Sequence, residues 1–311
     1  MQSPLNDETD CVVDIRNLVR QFGHVKALDG VSLQVPRGAV YGIVGVNGAG
    51  KTTLLKHVLG LLKPQQGTVT ILGRDPVRDP VGVLARLGYL SEQHEMPDWM
   101  RIGELLAYTG SFYPTWSNAY ATELVQSFQL NRDAKVKTLS KGQRARVGLV
   151  LALAHRPEVL VLDEPSSGLD PIVRRDILAA IIRTISEEGR TVIFSSHLLD
   201  EVERVADHIA MLHQGRLLYS GTFDEMRAKF RRVTVRFQEP QDVPPVLPDA
   251  IGWAGGGYEW TAIYRGQRDE LQAAATMAGG EIVEVKQLSL DEIFVAHAGM
   301  EPQMATVREA T

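Results

Sequence analysis

The sequence predicts a three-layer α/β fold built around a phosphate-binding loop, followed by a small α+β unit. Three observations predict it. Gly45, Val46, Asn47, Gly48, Ala49, Gly50, Lys51, Thr52 and Thr53 form a GxxGxGKT run between an apolar strand and a helix. Apolar strands and helices then alternate from about residue 158 to residue 206, the pattern of a parallel sheet covered on both faces. Near residue 230 the composition shifts to a short alternating strand and a cluster of prolines.

The elements follow in order. Residues 1–10 carry no apolar pattern and are expected to be disordered. Residues 12–15 and 31–35 read as strands, the second with period-two alternation. Residues 39–44 (AVYGIV) form the strand that leads into the glycine run, and residues 54–59 (LLKHVL) the helix behind it. Strands are expected at 68–72 and 87–90. The stretch 101–129 is mainly helical, with Trp99, Phe112, Tyr113 and Trp116 as a local core. A helix opens at Ser140, carries Val147, Val150, Leu151 and Ala154 on one side, and ends by Pro157. Residues 158–163 (EVLVLD) are a strand of the buried parallel kind. Asp170 and Pro171 start a helix in which Ile177, Leu178, Ile181, Ile182 and Ile185 recur at helical spacing; Gly189 ends it. A strand at 191–195 and a helix marked by Leu198, Leu199, Val202, Val205 and Ala206 come next.

In the tail, residues 232–237 alternate as a half-buried strand. Pro240, Pro244, Pro245 and Pro248 make 238–250 an irregular connection. Gly255, Gly256 and Gly257, between Trp253 and Trp260, suggest a hairpin turn. A helix at 267–278, a strand at 281–286 and a helix at 289–297 complete the unit.

The 311 residues suffice for one large domain and a small one. Hydrophobic content of 44% and charged content of 23% are those of a soluble globular protein. The 33 basic and 38 acidic side chains leave a net charge of −5, against a dedicated nucleic-acid binder. Cys11 is the single cysteine, so no intrachain disulfide forms, which fits a reducing compartment. Residues 1–8 have neither the basic nor the apolar region of a signal peptide. No apolar stretch approaches the ~20 residues that span a bilayer. Any membrane role would then run through a partner.

The chemistry begins at the glycine run. Its glycines let backbone N–H groups turn inward around phosphate oxygens, and the following helix N-terminus adds partial positive charge. Lys51 would reach the outer phosphates and the Thr52 hydroxyl would ligate Mg²⁺. The strand at 158–163 delivers two carboxylates. Asp163 is placed to hold the Mg²⁺ shell beside Thr52, and Glu164 to polarise a water at the outermost phosphate.

Four further segments decide the kind of phosphate-binding protein. Leu139, Ser140, Lys141, Gly142 and Gln143 resemble the LSGGQ signature of ATP-binding cassette (ABC) ATPases, while Ser140 and Gln143 are also spaced as a capping box. Ser167, Gly168, Leu169 and Asp170 resemble the family's D-loop, with Asp170 equally fit to cap the helix at Pro171. His197, just after the strand that ends in serine, matches the switch histidine. Gly88, Tyr89 and Leu90 align with the approach to the glutamine loop. In order and spacing, residues 11–230 resemble an ABC transporter nucleotide-binding subunit, of bacterial exporter type with a C-terminal extension. The resemblance implies ATP as substrate with Mg²⁺, an antiparallel β subdomain, and a helical subdomain at about 95–138. It also implies that Phe22 stacks on adenine. Two departures stand out. Lys141 replaces the usual first glycine of the signature pair. Glu92 stands where glutamine is usual, with Gln93 next to it, and either could reach Mg²⁺.

The resemblance further implies a head-to-tail homodimer in which Ser140 and Gly142 of one copy close over ATP held by the other. It implies a separately encoded integral membrane permease and a place on the cytoplasmic face of the membrane. Residues 288–294 (LSLDEIF) resemble a segment common near the ends of exporter subunits, which favours export. The alternative is a soluble ABC ATPase acting on ribosomes or nucleic acid. Such relatives carry two cassettes, or long insertions that are not found here. Residues 231–311 form an accessory domain that braces the dimer or senses a ligand.

Overall fold

The computed structural model describes residues 11–186, 189–266 and 268–298. The expectations for residues 1–10, for Gln267 as a helix start and for the end of the tail lie outside the described residues. In chain order the elements are β1 (Cys11–Phe22), β2 (Val25–Pro36), β3 (Val40–Val44), α1 (Lys51–Val58), β4 (Gln66–Ile71), α2 (Pro80–Leu84), β5 (Leu87–Leu90), α3 (Ile102–Gly110), α4 (Asn118–Ser127) and α5 (Lys141–Leu153). There follow β6 (Val159–Asp163), α6 (Pro171–Ser186), β7 (Thr191–Ser196), α7 (Leu199–Val205), β8 (His208–His213), β9 (Arg216–Thr222), α8 (Phe223–Lys229), β10 (Phe230–Gln241), β11 (Ala250–Arg265), α9 (Arg268–Met277), β12 (Gly280–Gln287) and α10 (Leu290–Ala298). They divide into two units, Met1–Ser220 and Gly221–Thr311.

The first unit holds two sheets. One is antiparallel, in the order β2-β1-β4; the other is six-stranded, in the order β5-β6-β7-β3-β8-β9. Strands β5, β6, β7, β3 and β8 run parallel, so their C-terminal ends share one edge. Every residue of β3, β6 and β7 is buried, as a strand covered on both faces requires. The layering follows from strand alternation. Tyr41 and Ile43 point into a core shared with Leu54 and Leu55 of α1 and with Val13, Ile15 and Leu33 of the antiparallel sheet. Gly42, between them, points the other way; a Cβ there would lie 2.4 Å from Val202 of α7. Helix α1 thus lies between the sheets, and α7 covers the opposite face of the larger one.

Several expectations are corrected. β1 and β2 each run to 12 residues, well beyond the short apolar runs. β8 and β9 lie in a stretch where no strand was expected. Ile209, Ala210, Met211 and Leu212 are all buried, but alanine and methionine carry no strand preference, which hid β8. Trp99 and Phe112 are not core: they are 71% and 63% exposed. Tyr113 is half-buried and stacks on His155, with centroids 4.0 Å apart.

The second unit is an antiparallel sheet, β11-β10-β12, packed with α9 around Val233, Val235, Trp260, Tyr264 and Leu271. The glycines at 255–257 sit where the sequence suggests a hairpin turn: the chain reverses within β11, so that the Arg265 N–H donates to the Asp249 carbonyl at 2.9 Å and the ring centroids of Trp253 and Trp260 lie 6.4 Å apart. The β10 register breaks here, between Arg236 and Gln241. Gly255 has φ 128°, and a Cβ there would lie 2.5 Å from the Glu259 carbonyl oxygen. The glycine cluster supplies the positive φ that this hairpin turn needs, at Gly255 and again at Gly257 (φ 62°). Gly255→Ala should therefore destabilise this unit by about 1–3 kcal/mol. A urea titration followed by tryptophan fluorescence, to which Trp253 and Trp260 contribute, should show an earlier transition than the parent.

Candidate functional site

The loop at residues 45–50 leaves the C-terminal end of β3, between the ends of β7 and β8, and enters α1. This is the edge at which open parallel sheets bind ligands. Gly50 is the N-cap of α1 with φ 108°, and a Cβ on it would meet the Ala27 carbonyl oxygen at 2.4 Å. With glycine as cap and no acidic residue in the first turn, no side chain closes the helix N-terminus. Gly45, Val46, Asn47, Gly48 and Ala49 complete the loop, and Thr53 continues α1. Lys51 is 6% exposed. Its Nζ donates to the carbonyls of Gly45 (2.6 Å) and Val46 (3.3 Å) and lies 3.0 Å from Glu164 Oε1.

Strand β6 is flanked by β5 and β7 and ends at Asp163, which is 2% exposed. Asp163 Oδ1 accepts from Thr52 Oγ1 at 3.1 Å and from Ser195 Oγ at 2.8 Å. Ser195 Oγ in turn accepts from the Glu164 backbone N–H at 2.8 Å. Glu164 has φ 46°, a left-handed conformation that costs a non-glycine residue of order 1–3 kcal/mol. Its Oε2 lies 2.6 Å from His197 Nδ1 and accepts from the His197 N–H at 3.3 Å. A carboxylate only accepts, so His197 carries its proton on Nδ1. Lys51, Thr52, Asp163, Glu164 and His197 are thus brought into one hydrogen-bonded cluster. Ser195 is a member that sequence reasoning missed; only its place two residues before His197 could have flagged it.

A cleft of about 450 Å³ opens beside this cluster, lined by Thr52, Asp163, Tyr89, Glu92, Gln93 and His94, among others. The four candidate metal residues, Thr52, Asp163, Glu92 and Gln93, therefore share one wall system. Burial, and secondarily the charge of Asp163, push the Tyr89 phenol up to about 12. Burial also lowers the pKa of His94, whose Nδ1 donates to the Glu92 carbonyl at 2.6 Å. Among the described residues no three His, Cys, Asp or Glu side chains group as a metal site. Thr52 and Asp163 do supply hard oxygens, the donors Mg²⁺ prefers when phosphate and water complete its shell.

Ser140, Lys141, Gly142, Gln143 and Asp170 form a second cluster, where α5 and α6 begin. Ser140 Oγ accepts from the Gln143 N–H at 3.2 Å, and Gln143 Oε1 accepts from the Ser140 N–H at 3.0 Å, a complete capping box. Asp170 Oδ1 accepts from the N–H groups of Ile172 and Val173, both at 3.0 Å. Gly142 is buried against Val173, which a Cβ would meet at 2.7 Å. Lys141, the departure from glycine, has a definite partner: its Nζ donates to the Ser167 carbonyl at 2.6 Å. Residues 165–168 join this cluster to Glu164.

Phe22 ends β1 and is 46% exposed, with the Arg20 guanidinium carbon 4.6 Å from its ring centroid. It pairs with Val25, close along β2 to Ala27, the residue that abuts Gly50. An exposed ring is thereby carried near the phosphate loop.

Comparison with known proteins bears on this arrangement. The family model for ABC transporter matches residues 28–167. The daunorubicin/doxorubicin resistance ATP-binding protein DrrA of Streptomyces peucetius is 30% identical over 98% of this chain and 98% of its own length. The bacitracin transport ATP-binding protein BcrA of Bacillus licheniformis is 32% identical over 71% of this chain and 73% of its own. A solved ATP-binding subunit of an ABC transporter superposes with a TM-score of 0.64 at 28% identity, over 70% of this chain and 92% of that chain. The ADP conformation of an ABC transporter cassette gives 0.59 at 28% identity, over 69% and 92%. A match that runs along nearly the whole of both chains is a family relationship: this chain is an ATP-binding subunit of the ABC transporter family.

Proposed function

We propose that this chain hydrolyses ATP with Mg²⁺ and that the cycle drives export through a separately encoded integral membrane permease. One observation carries the hydrolytic reading. Glu164 is held between the Lys51 ammonium and the His197 imidazole, beside the Thr52–Asp163 pair. Lys51 would exchange the Gly45 carbonyl and Glu164 for the outer phosphate oxygens of ATP. Glu164, released from the ammonium, would face a water at the γ-phosphorus. As the water oxygen bonds to phosphorus and the bond to the β–γ bridging oxygen breaks, Glu164 takes the water's proton. His197 Nδ1–H holds that carboxylate in place. Thr52 and Asp163 would hold Mg²⁺, with Glu92 or Gln93 reaching it from the cleft; when bound, it neutralises charge on the phosphates. Phe22 would stack on adenine.

The helix start at Ser140, with Lys141, Gly142 and Gln143, would close over ATP held by a second copy, giving a two-fold homodimer. Among the described residues no helix is long and apolar enough to cross a membrane; the permease would be a partner chain. It would dock on the helical subdomain at about 95–138 and the cleft beside Glu92 and Gln93, at the cytoplasmic face. Resistance and bacitracin transport, in the names of two relatives, support export. The C-terminal accessory domain is best read as a dimer brace.

Glu164→Gln should retain ATP binding and lower kcat by about 10²–10⁴-fold. Single-turnover hydrolysis beside a nucleotide titration checks this, and an unchanged rate would remove Glu164 from its role. Lys51→Ala should weaken ATP binding about tenfold or more, because it removes a charge-assisted donor to phosphate. Calorimetric titration measures it; equal affinity would contradict the assignment. Purified from detergent-extracted membranes, the chain should bring an integral membrane protein that stimulates its ATPase. An ATPase indifferent to that protein would argue against transport.

A further inference from the structure

Glu201 is a buried carboxylate that the steps above do not use. It lies on α7 and is 2% exposed. Its Oε2 accepts from Ser166 Oγ at 2.5 Å, and its Oε1 lies 3.0 Å from Arg174 Nε. Its neighbours matter for their places in the chain. Ser166 follows Glu164 by two residues, Arg174 lies in the first turns of α6 beyond Asp170, and Glu201 follows His197 by four. One side chain therefore joins the turn after the proposed base, the helix after Asp170 and the helix after His197.

The turn needs such restraint. Glu164 is left-handed at φ 46° without being glycine, and such a conformation persists only where its surroundings impose it. Three hydrogen bonds do so. The Glu164 N–H donates to Ser195 Oγ at 2.8 Å, the Ser167 N–H donates to the Glu164 carbonyl at 3.1 Å, and Ser166 donates to Glu201. Burying a carboxylate for this purpose is costly. Desolvation raises the Glu201 pKa, outweighing the Ser166 hydrogen bond and the Arg174 charge.

We infer that Glu201 is a positioning residue for ATP hydrolysis, holding the turn after Glu164 so that its carboxylate meets the reacting water. The inference rests on the hydrolytic role proposed for Glu164. It acts through Ser166, so an acceptor oxygen at position 201 is what matters.

The test compares Glu201→Ala, Glu201→Gln and Ser166→Ala in the full chain, by steady-state ATPase and nucleotide titration. Glu201→Ala and Ser166→Ala should each lower kcat roughly ten- to a hundredfold, with ATP affinity within about twofold of the parent. Glu201→Gln, which keeps an acceptor for Ser166, should retain most of the parent kcat. The double variant Glu201→Ala/Ser166→Ala should be no slower than Glu201→Ala alone, since both remove one contact. Should Glu201→Ala fail to fold, Ser166→Ala and Glu201→Gln still decide. Parent-like turnover in Ser166→Ala overturns the inference. So does Glu201→Gln as slow as alanine, or affinity lost in step with rate. Normal hydrolysis by Glu164→Gln would instead overturn the role of Glu164, and this inference with it.

Discussion

A buried ammonium organises this molecule. Lys51 has almost no access to water, and a buried cation is tolerated only with partners around it. Those partners are two carbonyls of the loop it follows and, from a distant part of the chain, Glu164 beyond β6. The loop, α1 and the end of β6 are thereby brought to one point. Lys51 already stands where a polyanion would be drawn, and it is neutralised there by groups of the protein itself.

The remaining geometry follows from strand order. In the larger sheet β6, β7 and β3 are neighbours, and all run the same way. Their final residues therefore meet. Thr52 after β3, Asp163 at the end of β6 and Ser195 in β7 form one relay of hydroxyls and carboxylate, continued by the Glu164 backbone. A relay of this kind fixes each side chain through its neighbour, so small displacements cannot stay local.

Much of this was legible in sequence, for physical reasons. Glycine, lysine and threonine at fixed spacing carry a backbone demand and a charge together, so Gly45 through Thr53 could be read with little help. β6 and β7 carry unbroken apolar stretches at 159–162 and 192–194, as parallel burial requires. Where the reading failed, the residues served a purpose their type does not announce. Alanine and methionine filled β8. Trp99 and Phe112 lie exposed although aromatic rings usually mark a core. Ser195 and Glu201 were invisible because their roles depend on partners more than thirty residues away, Ser195 on Glu164 and Glu201 on Ser166.

The substitution at Lys141 has a consequence of its own. Its ammonium is not a spare charge, since the Ser167 carbonyl already holds it. If two copies face each other as proposed, a nucleotide arriving from the opposite copy would have to win that cation away from the backbone. Recruiting it would loosen residues 165–168, the stretch anchored to Glu164. Closure around one nucleotide would thus tug on the hydrolytic machinery that serves the other.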